Sequence, residues 1–295
     1  MTFRDYLKHQ HFSSSTITNY EAYFQGFVNW HNTKYPDDTQ ALTYKNALGY
    51  IAHLKQRNCQ PQTINLRLTA LKKYGEYLIF TDQIVSNPLE DLRLKGVIKK
   101  QVLKHLDADA LELLYHGYPK DHFKPHTNGY SKLCSQRNKV LVGFMVFQGL
   151  NTTALKQLEI EHLDLSKGRV YIAETKRSNS RYMALNSSQI TDLMYYLERV
   201  HSILQPKGYE SFIFSSKALN HSISKAVLPT LKKMNPLVCS ASFIRASVIV
   251  AWLGKYPIRK VQYLAGHRYI SSTQNYRQDD LKSLQQAIED LHPLR

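Results

Sequence analysis

The chain has 295 residues, of which 43% are hydrophobic, and this length is sufficient for two domains that each bury a core. Its 39 Lys and Arg residues outnumber 23 Asp and Glu residues, and the net charge of +16 favours a polyanionic partner, nucleic acid before an anionic membrane surface. No apolar run approaches the roughly 20 residues that span a bilayer, and the three scattered cysteines provide neither a disulfide framework nor the spacing of a metal site.

The first 92 residues are predicted to form a small helical bundle. Three serines at 13–15 are good N-cap residues for a helix over 13–33, and a second helix is predicted over Tyr44–Gln56. A third begins after Pro61 and is followed by the turn at Asn87–Pro88. Its apolar stripe consists of Ile64, Leu68, Leu71, Tyr74 and Leu78.

A basic segment with weak periodicity follows at residues 93–105 and is predicted to be a linker. Lys99 and Lys100 lie within it and are candidates to follow a nucleic-acid backbone. The alternative is a solvated basic loop, since runs of charge are usually solvated.

A second domain is predicted over residues 106–295. It begins with a helix near residue 107 and a strongly apolar helix over 137–150. Residues 169–172 and 181–185 have strand character and enclose a hairpin tip at 176–180. Further helices are predicted over 188–204, 219–233, 241–254 and 258–265, with a last amphipathic segment over 277–295.

The string LAGHRYISSTQNY at residues 264–276 resembles the last catalytic motif of the tyrosine recombinase (phage integrase) family. In that motif a Leu-Gly-His element precedes the nucleophilic tyrosine by nine residues, and His267 and Tyr276 have this separation. One tyrosine among 20 would be weak evidence, whereas the whole string is specific. The resemblance implies that Tyr276 attacks a DNA phosphate.

Such a site has a clear chemical requirement. A phenol, whose ordinary pKa is near 10, is a poor nucleophile at neutral pH. It needs cations and hydrogen-bond donors that stabilise the phosphate as charge develops in the transition state. No metal or other cofactor is implied, because the phosphotyrosine linkage conserves the energy of the broken DNA bond.

Three further motifs of the family can be located. The segment ETKRSNSRYMAL, residues 174–185, resembles the hairpin that presents a lysine to the scissile phosphate, which implies Lys176. SFIR, residues 242–245, occupies the place of the His-x-x-Arg motif, with Arg245 retained and Ser242 at the histidine position. GLNTTAL, residues 149–155, resembles the first arginine motif with Asn151 at the arginine position.

The two departures, Asn151 and Ser242, bear on activity. Loss of one preorganised donor costs about 2.7–4 kcal/mol in the transition state. We hypothesise that a nearby cation compensates for the missing arginine, with Arg137, Lys156, Arg177 and Arg181 as candidates. Arg177 and Arg181 are also candidates for DNA contact.

The resemblance covers about residues 3–285 and implies a mainly α fold. It implies an N-terminal helical core-binding bundle and an α-rich catalytic domain with a small β-hairpin or sheet, together forming a C-shaped clamp around double-stranded DNA. The third helix, Thr63–Leu78, is predicted to read the major groove, with an ordinary solvated helix face as the alternative. Its candidate contact residues are Gln62, Asn65, Arg67 and Lys72.

The implied function is site-specific recombination or integration of a mobile element through a 3′-phosphotyrosyl intermediate. A homo-tetramer on two DNA sites is expected, with accessory DNA-bending or directionality factors, in the bacterial cytoplasm near the nucleoid and away from membranes. The tail 279–292 is predicted to pack on a neighbouring protomer or on its own domain. Two alternatives remain: a catalytically impaired, sequence-specific DNA-binding factor and an unrelated basic helical protein that acts on RNA.

Overall fold

The computed structural model of the protein describes residues 1–37, 42–95, 104–119 and 129–277. The chain forms two compact units, Met1–Lys99 and Lys100–Arg295. Their division falls inside the segment 93–105, whose Lys99 and Lys100 lie outside the described residues, as does the predicted tail 279–292. Within the described ranges no helix combines the length and the apolar character needed to cross a bilayer.

The first unit is a bundle of α-helices, and side-chain caps mark where three of them begin. Thr2, Ser13 and Thr43 each accept a hydrogen bond from a backbone N–H in the first turn of the helix that follows. The last helix instead begins with Pro61, whose fixed φ suits the first helical position and whose missing N–H would have no partner within the helix. The helices are α1 (Phe3–His9), α2 (Ser14–Lys34), α3 (Tyr44–Gln56) and α4 (Pro61–Phe80).

Aromatic packing holds these helices together. Phe24 of α2 stacks on Tyr74 of α4, with ring centroids 3.8 Å apart, and Phe3 of α1 lies edge-on to both rings. Fully buried Phe27 and Tyr50 join α2 to α3. Each aromatic side chain removes a large apolar area from water, and Phe24 packs against both core clusters of the bundle.

The second unit is also mainly helical. Its core surrounds α6, whose residues from Asn138 to Val146 are all buried. A 3₁₀ turn at Ile160–His162 and a π-helical turn at Ile223–Val227 interrupt the regular elements. The helices are α5 (Ala108–His116), α6 (Gly129–Val146), α7 (Thr152–Lys156), α8 (Ser187–Arg199), α9 (His201–Leu204), α10 (Ser216–Ser222), α11 (Leu228–Met234), α12 (Ala241–Lys255), α13 (Ile258–Ala265) and α14 (Ile270–Gln274).

A three-stranded antiparallel sheet lies in the second unit, with strand order β1 (Leu163–Asp164), β2 (Arg169–Ile172) and β3 (Arg181–Ala184). Alternate residues of β2 and β3 face the core, and Val170 pairs with Met183 there. The same alternation turns Arg181 inward, opposite Ile172. The predicted fold class, mainly α with a small sheet, is confirmed, and the sheet places one arginine on its buried face.

Candidate active site

Arg245 lies at the centre of the site, one turn into α12. The helix begins at a definite point because the Ser240 hydroxyl accepts a hydrogen bond from the N–H of Phe243 at 3.1 Å. The Arg245 guanidinium donates to the carbonyls of Gly149 and, at 2.7 Å, Ala265. These two bonds fix the guanidinium between the chain that follows α6 and the end of α13, and burial lowers the pKa of Arg245.

Asn151 lies two residues after Gly149, the first carbonyl partner of Arg245. Gly149 adopts a positive φ of 56° in the turn after α6, which directs its carbonyl to Arg245. Two residues later the Asn151 side chain accepts a hydrogen bond from the N–H of Ala154 at 2.8 Å. Asn151 is therefore the N-cap of α7, and the position predicted for the family's arginine carries a neutral, helix-capping amide.

The end of α13 positions His267. Gly266 is left-handed (φ 69°), and the N–H of His267 bonds to the carbonyl of Gln262 at 3.0 Å. This Schellman-type ending satisfies carbonyls of the last turn and reverses the chain beside Arg245. The Gln262 side chain also donates to the His267 carbonyl at 3.1 Å, so the imidazole projects from a backbone that is held on both sides.

The protonation state of His267 follows from its partners. Nε2 lies 3.4 Å from a guanidinium nitrogen of Arg245, which can only donate. The ring proton is thus assigned to Nδ1, which donates to the hydroxyl of fully buried Thr273 at 2.9 Å. Burial, followed by the charges of Arg245 and Arg181, lowers the pKa of His267 to about 4, so the imidazole is neutral at pH 7.

Tyr276 lies beside this histidine. Its N–H bonds to the carbonyl of Thr273 at 3.0 Å, just after α14. Its ring is nearly parallel to that of His267, with centroids 5.9 Å apart, and it packs on an apolar cluster that includes Ile249 and Val261. The aromatic body of the tyrosine is held against the core next to the Arg245–His267 pair.

The hairpin between β2 and β3 docks on the same turn. Thr175 and Ser178 bond to each other across the tip, where Lys176 is exposed. The N–H of Asn179 donates to the Gly266 carbonyl at 3.0 Å, and Arg268 donates to the Thr175 carbonyl at 3.0 Å. The segment that carries Lys176 is therefore fastened to the segment that carries His267.

Arg181 lies under this junction, and Gly266 makes room for it. A Cβ atom on Gly266 would lie 2.8 Å from the Arg181 guanidinium carbon and 2.6 Å from the Ser178 hydroxyl. We expect Gly266→Ala to lower the free energy of unfolding by about 2 kcal/mol or more, because a positive φ and a steric overlap both oppose the methyl group. Urea unfolding measures the change.

Gly254→Ala is the matched control for this substitution. Gly254 is helical, and nothing lies within 4 Å of the Cβ that the alanine would add. Alanine there should leave the free energy of unfolding unchanged or raise it by about 0.5–1 kcal/mol. Equal effects of the two substitutions would contradict the close packing at Gly266.

The neutral state of His267 has a consequence for stability. Its pKa falls from an ordinary 6.5 to about 4 in the folded protein, so the unfolded chain binds one more proton between these values. This contribution to stability is present above pH 6.5 and is lost as the pH falls through 4. We expect the free energy of unfolding of His267→Gln to vary less between pH 7 and pH 4 than that of the wild type.

Urea titrations at several pH values measure this difference. Plots of the free energy of unfolding against pH should be parallel for the two proteins between pH 7 and pH 8, because His267 takes up no proton there in either the folded or the unfolded wild type. Identical curves at pH 4–6 would show that folding leaves the protonation of His267 unchanged.

Arg245 and Arg181 bring two positive charges to the site. In the part of the chain that the structure describes, no carboxylate forms an ion pair with Arg245 or Arg181. Buried charges are costly unless a partner compensates them, so the arrangement favours an anionic ligand. Among the same residues, no group of three His, Cys, Asp or Glu side chains is placed to hold a metal ion.

The other compensating candidates lie elsewhere. Arg137 donates to Asn138 and Ser222, about 2.5 turns before the end of α6. Arg177 is exposed in the hairpin, and Lys156 is the last residue of α7. Within the described ranges, neither side chain forms a hydrogen bond with Arg245 or His267. Ser242 is exposed in the first turn of α12. Only Arg181 among the four candidates is brought beside Arg245 and His267.

In the first unit, three of the four predicted reading residues have partners within the bundle. Asn65 exchanges hydrogen bonds with the backbone of Leu94 at 3.1 and 2.9 Å. Arg67 donates to the Tyr50 hydroxyl at 3.0 Å, and Lys72 donates to the Glu90 carbonyl at 2.6 Å. Gln62 is exposed in the first turn of α4. A DNA-reading role for these residues stays a prediction.

Sequence reasoning missed several residues that build the site. Thr273 orients His267, Gln262 holds its backbone, and Arg268 fastens the hairpin. Thr273 lies between His267 and Tyr276 in the same polar string, so the sequence places it near the site but does not show that it bonds to the imidazole. Gln262 and Arg268 act on carbonyl groups, which leave no signature in the sequence.

Comparisons with known proteins show the family of the chain. The sequence profile described as "Phage integrase family" matches residues 104–282, and the profile "Phage integrase, N-terminal SAM-like domain" matches residues 1–84. The chain belongs to the phage integrase family.

Relatives and solved structures match over nearly the full length. Tyrosine recombinase XerC of Bacillus pumilus is 24% identical over 301 residues, covering 99% of this chain and 95% of the relative. Tyrosine recombinase XerA of Pyrococcus furiosus is 25% identical, covering 97% and 91%. A structure of the Tn1549 transposon integrase in complex with a circular intermediate DNA matches with a TM-score of 0.67 at 15% identity, covering 98% of both chains, which shows a shared fold.

Proposed function

We propose that the protein is a site-specific DNA recombinase that cuts and rejoins double-stranded DNA through Tyr276. The observation that carries the proposal is the position of the tyrosine ring against His267, whose Nε2 faces Arg245. Arg245 and Arg181 both lack a carboxylate partner among the described residues. A DNA phosphate supplies the missing negative charge.

In the first step, the Tyr276 oxygen attacks the phosphorus atom and loses its proton to water, while the bond to the 5′ oxygen breaks. Lys176 donates a proton to the departing 5′ oxygen. Arg245 stabilises the non-bridging oxygens, whose charge increases in the transition state. The products are a 3′-phosphotyrosyl linkage and a free 5′ hydroxyl.

The second step reverses the first on a partner duplex. A 5′ hydroxyl attacks the phosphotyrosyl phosphorus, and the tyrosine oxygen leaves and regains a proton. One new DNA bond replaces one broken bond, so no external energy source or cofactor is required. Four copies on two DNA sites would complete a full exchange, with accessory DNA-bending or directionality factors selecting the outcome for a mobile element.

The partner is proposed from charge and from the relatives. The net charge of +16 suits a phosphate backbone. The Tn1549 integrase that shares the fold is a transposon protein solved with DNA. We propose that Lys99, Lys100, Arg177 and residues of α4 such as Gln62 contribute to DNA contact.

A trapping assay tests the proposal. The purified protein is incubated with nicked duplexes from the DNA that flanks its own gene, so that a short released strand diffuses away and the adduct accumulates. A covalent protein–DNA species on a denaturing gel, linked to a 3′ end, is the expected result. Binding of specific duplexes without any adduct would overturn the strand-exchange proposal.

A second candidate function is sequence-specific DNA binding without cleavage. Two observations favour it: Asn151 serves as the N-cap of α7, and Ser242 is exposed. Neither side chain brings a charge to the phosphate. The same assay separates the two functions, because the binding factor retards the duplex on a native gel and forms no adduct.

A further inference from the structure

Arg181 has an unusual position for an arginine. Only 3% of its surface is exposed, on the inward face of β3. Its Nε donates to the carbonyl of Leu264 at 2.7 Å, and its Nη1 lies 3.3 Å from the Ser178 hydroxyl and from the Asn179 carbonyl. All of these acceptors are neutral, so Nε and Nη1 have hydrogen-bond partners while no carboxylate of the described residues pairs with the charge.

The charge of Arg181 acts on the active site. After burial and the charge of Arg245, it is the third cause that lowers the pKa of His267, while burial, followed by the charge of Arg245, lowers the pKa of Arg181 to about 10. Two arginines that repel each other in a buried place raise the free energy of the folded protein. An anion bound at Arg245 and His267 would relieve that repulsion.

The charge of Arg181 lies near the place where the predicted first arginine of the site is missing. Asn151 follows the Gly149 carbonyl that Arg245 holds, and it brings an amide where an arginine is expected. Arg181 belongs to a different element, β3, and its guanidinium lies against Gly266, the residue before His267. Gly266 has no side chain, which allows the guanidinium to lie against the turn that carries His267.

We propose that Arg181 is the second cation of the phosphate site and compensates, through its charge, for the arginine that Asn151 replaces. It is a positioning residue: it acts on the phosphate through the field at Arg245 and His267, and its hydrogen bonds hold the Lys176 hairpin on the Gly266 turn. The inference rests on the proposed function, since it concerns the same phosphate.

The test compares rates of adduct formation on a nicked duplex that the wild type cleaves. Arg181→Gln, which removes the charge, should slow adduct formation about 100-fold, as for loss of one preorganised donor. Arg181→Lys, which keeps the charge, should lose less than about 10-fold. Arg169→Gln is the matched control, because Arg169 lies in neighbouring β2 and pairs with Asp164, and it should leave the rate unchanged.

A rescue variant separates a charge effect from simple anchoring. The double variant Arg181→Gln, Asn151→Arg should form the adduct at least about 10-fold faster than Arg181→Gln alone, because the new arginine at position 151 brings a positive charge to the same phosphate. An anchoring role alone predicts that Arg181→Lys is as slow as Arg181→Gln and that Asn151→Arg restores nothing. That pattern would overturn the inference, as would an Arg181→Gln rate within about 3-fold of the wild type.

The controls keep the outcomes distinct. Thermal melting of each variant establishes that it folds, and if Arg181→Gln does not, Arg181→Lys with and without Asn151→Arg decides between the two roles. A wild-type protein that forms no adduct on any duplex would instead overturn the proposed function itself.

Discussion

Replacing Tyr276 with phenylalanine is expected to abolish the covalent DNA adduct while leaving DNA binding unchanged. Phenylalanine keeps the ring that packs on Ile249 and Val261 and lies parallel to His267. It removes only the oxygen that we propose becomes bonded to phosphorus. Phenylalanine has no atom that can bond to phosphorus, and loss of a nucleophile costs enzymes on the order of 10⁶ in rate, so no adduct should be detected on a denaturing gel.

Tyr269→Phe is the matched control for this variant. Tyr269 precedes α14 in the same turn, and 73% of its surface is exposed. Among the residues that the structure describes, no hydrogen bond joins its hydroxyl to Arg245 or His267. Its loss should leave both adduct formation and binding at wild-type levels. An adduct that persists in Tyr276→Phe, or disappears in Tyr269→Phe, would assign the nucleophile to another tyrosine.

Much of the fold could be predicted because its helices carry local signals. Helix α3 spans Tyr44–Gln56 and α13 spans Ile258–Ala265, as the periodicity predicted. The seven-residue α1 and the two-residue β1 were not predicted, since elements this short contain too few residues to show a period. The π-helical turn at Ile223–Val227 lies inside a predicted continuous helix, and no residue type marks it.

The site was only partly accessible to sequence reasoning. His267 and Tyr276 could be located because their spacing is part of a contiguous string. Arg181 was one of four equal candidates, since its contact with Leu264 joins positions 83 apart in the chain. That pairing depends on how β3 packs against α13, which is a tertiary property.

The predicted DNA-reading face shows a second limit. Periodicity assigned Asn65 and Lys72 to a polar face of α4, and polar faces were expected to meet solvent or DNA. In the structure, Asn65 donates a hydrogen bond to the Leu94 carbonyl and Lys72 donates one to the Glu90 carbonyl. Backbone carbonyls are present at every residue, so a sequence cannot show which polar side chain will bond to one.

The second large effect is expected at Arg245. Replacing Arg245 with glutamine should slow adduct formation by about 1,000-fold or more, because it removes a charge and a planar donor from the phosphate. Replacement with lysine keeps the charge but cannot donate to the Gly149 and Ala265 carbonyls and to phosphate with the same geometry. Its expected loss is about 100-fold.

A readout on His267 distinguishes this role from a general loss of structure. Arg245 is the second cause, after burial, that lowers the pKa of His267. Removing its charge in Arg245→Gln should therefore raise the pKa of His267 from about 4 toward its ordinary value of 6.5. An NMR titration of the imidazole resonances measures that shift in the protein without DNA.

Lys255→Gln provides the control for the loss of one positive charge from the same helix. Lys255 ends α12, is exposed, and lies over the ring of Tyr256. Its removal should change the salt dependence of DNA binding slightly, with the adduct rate and the His267 titration as in the wild type. Because the two variants lose the same formal charge, a rate loss confined to Arg245→Gln would follow from the place of that charge beside His267. Equal losses would instead attribute the effect to the overall charge of the protein.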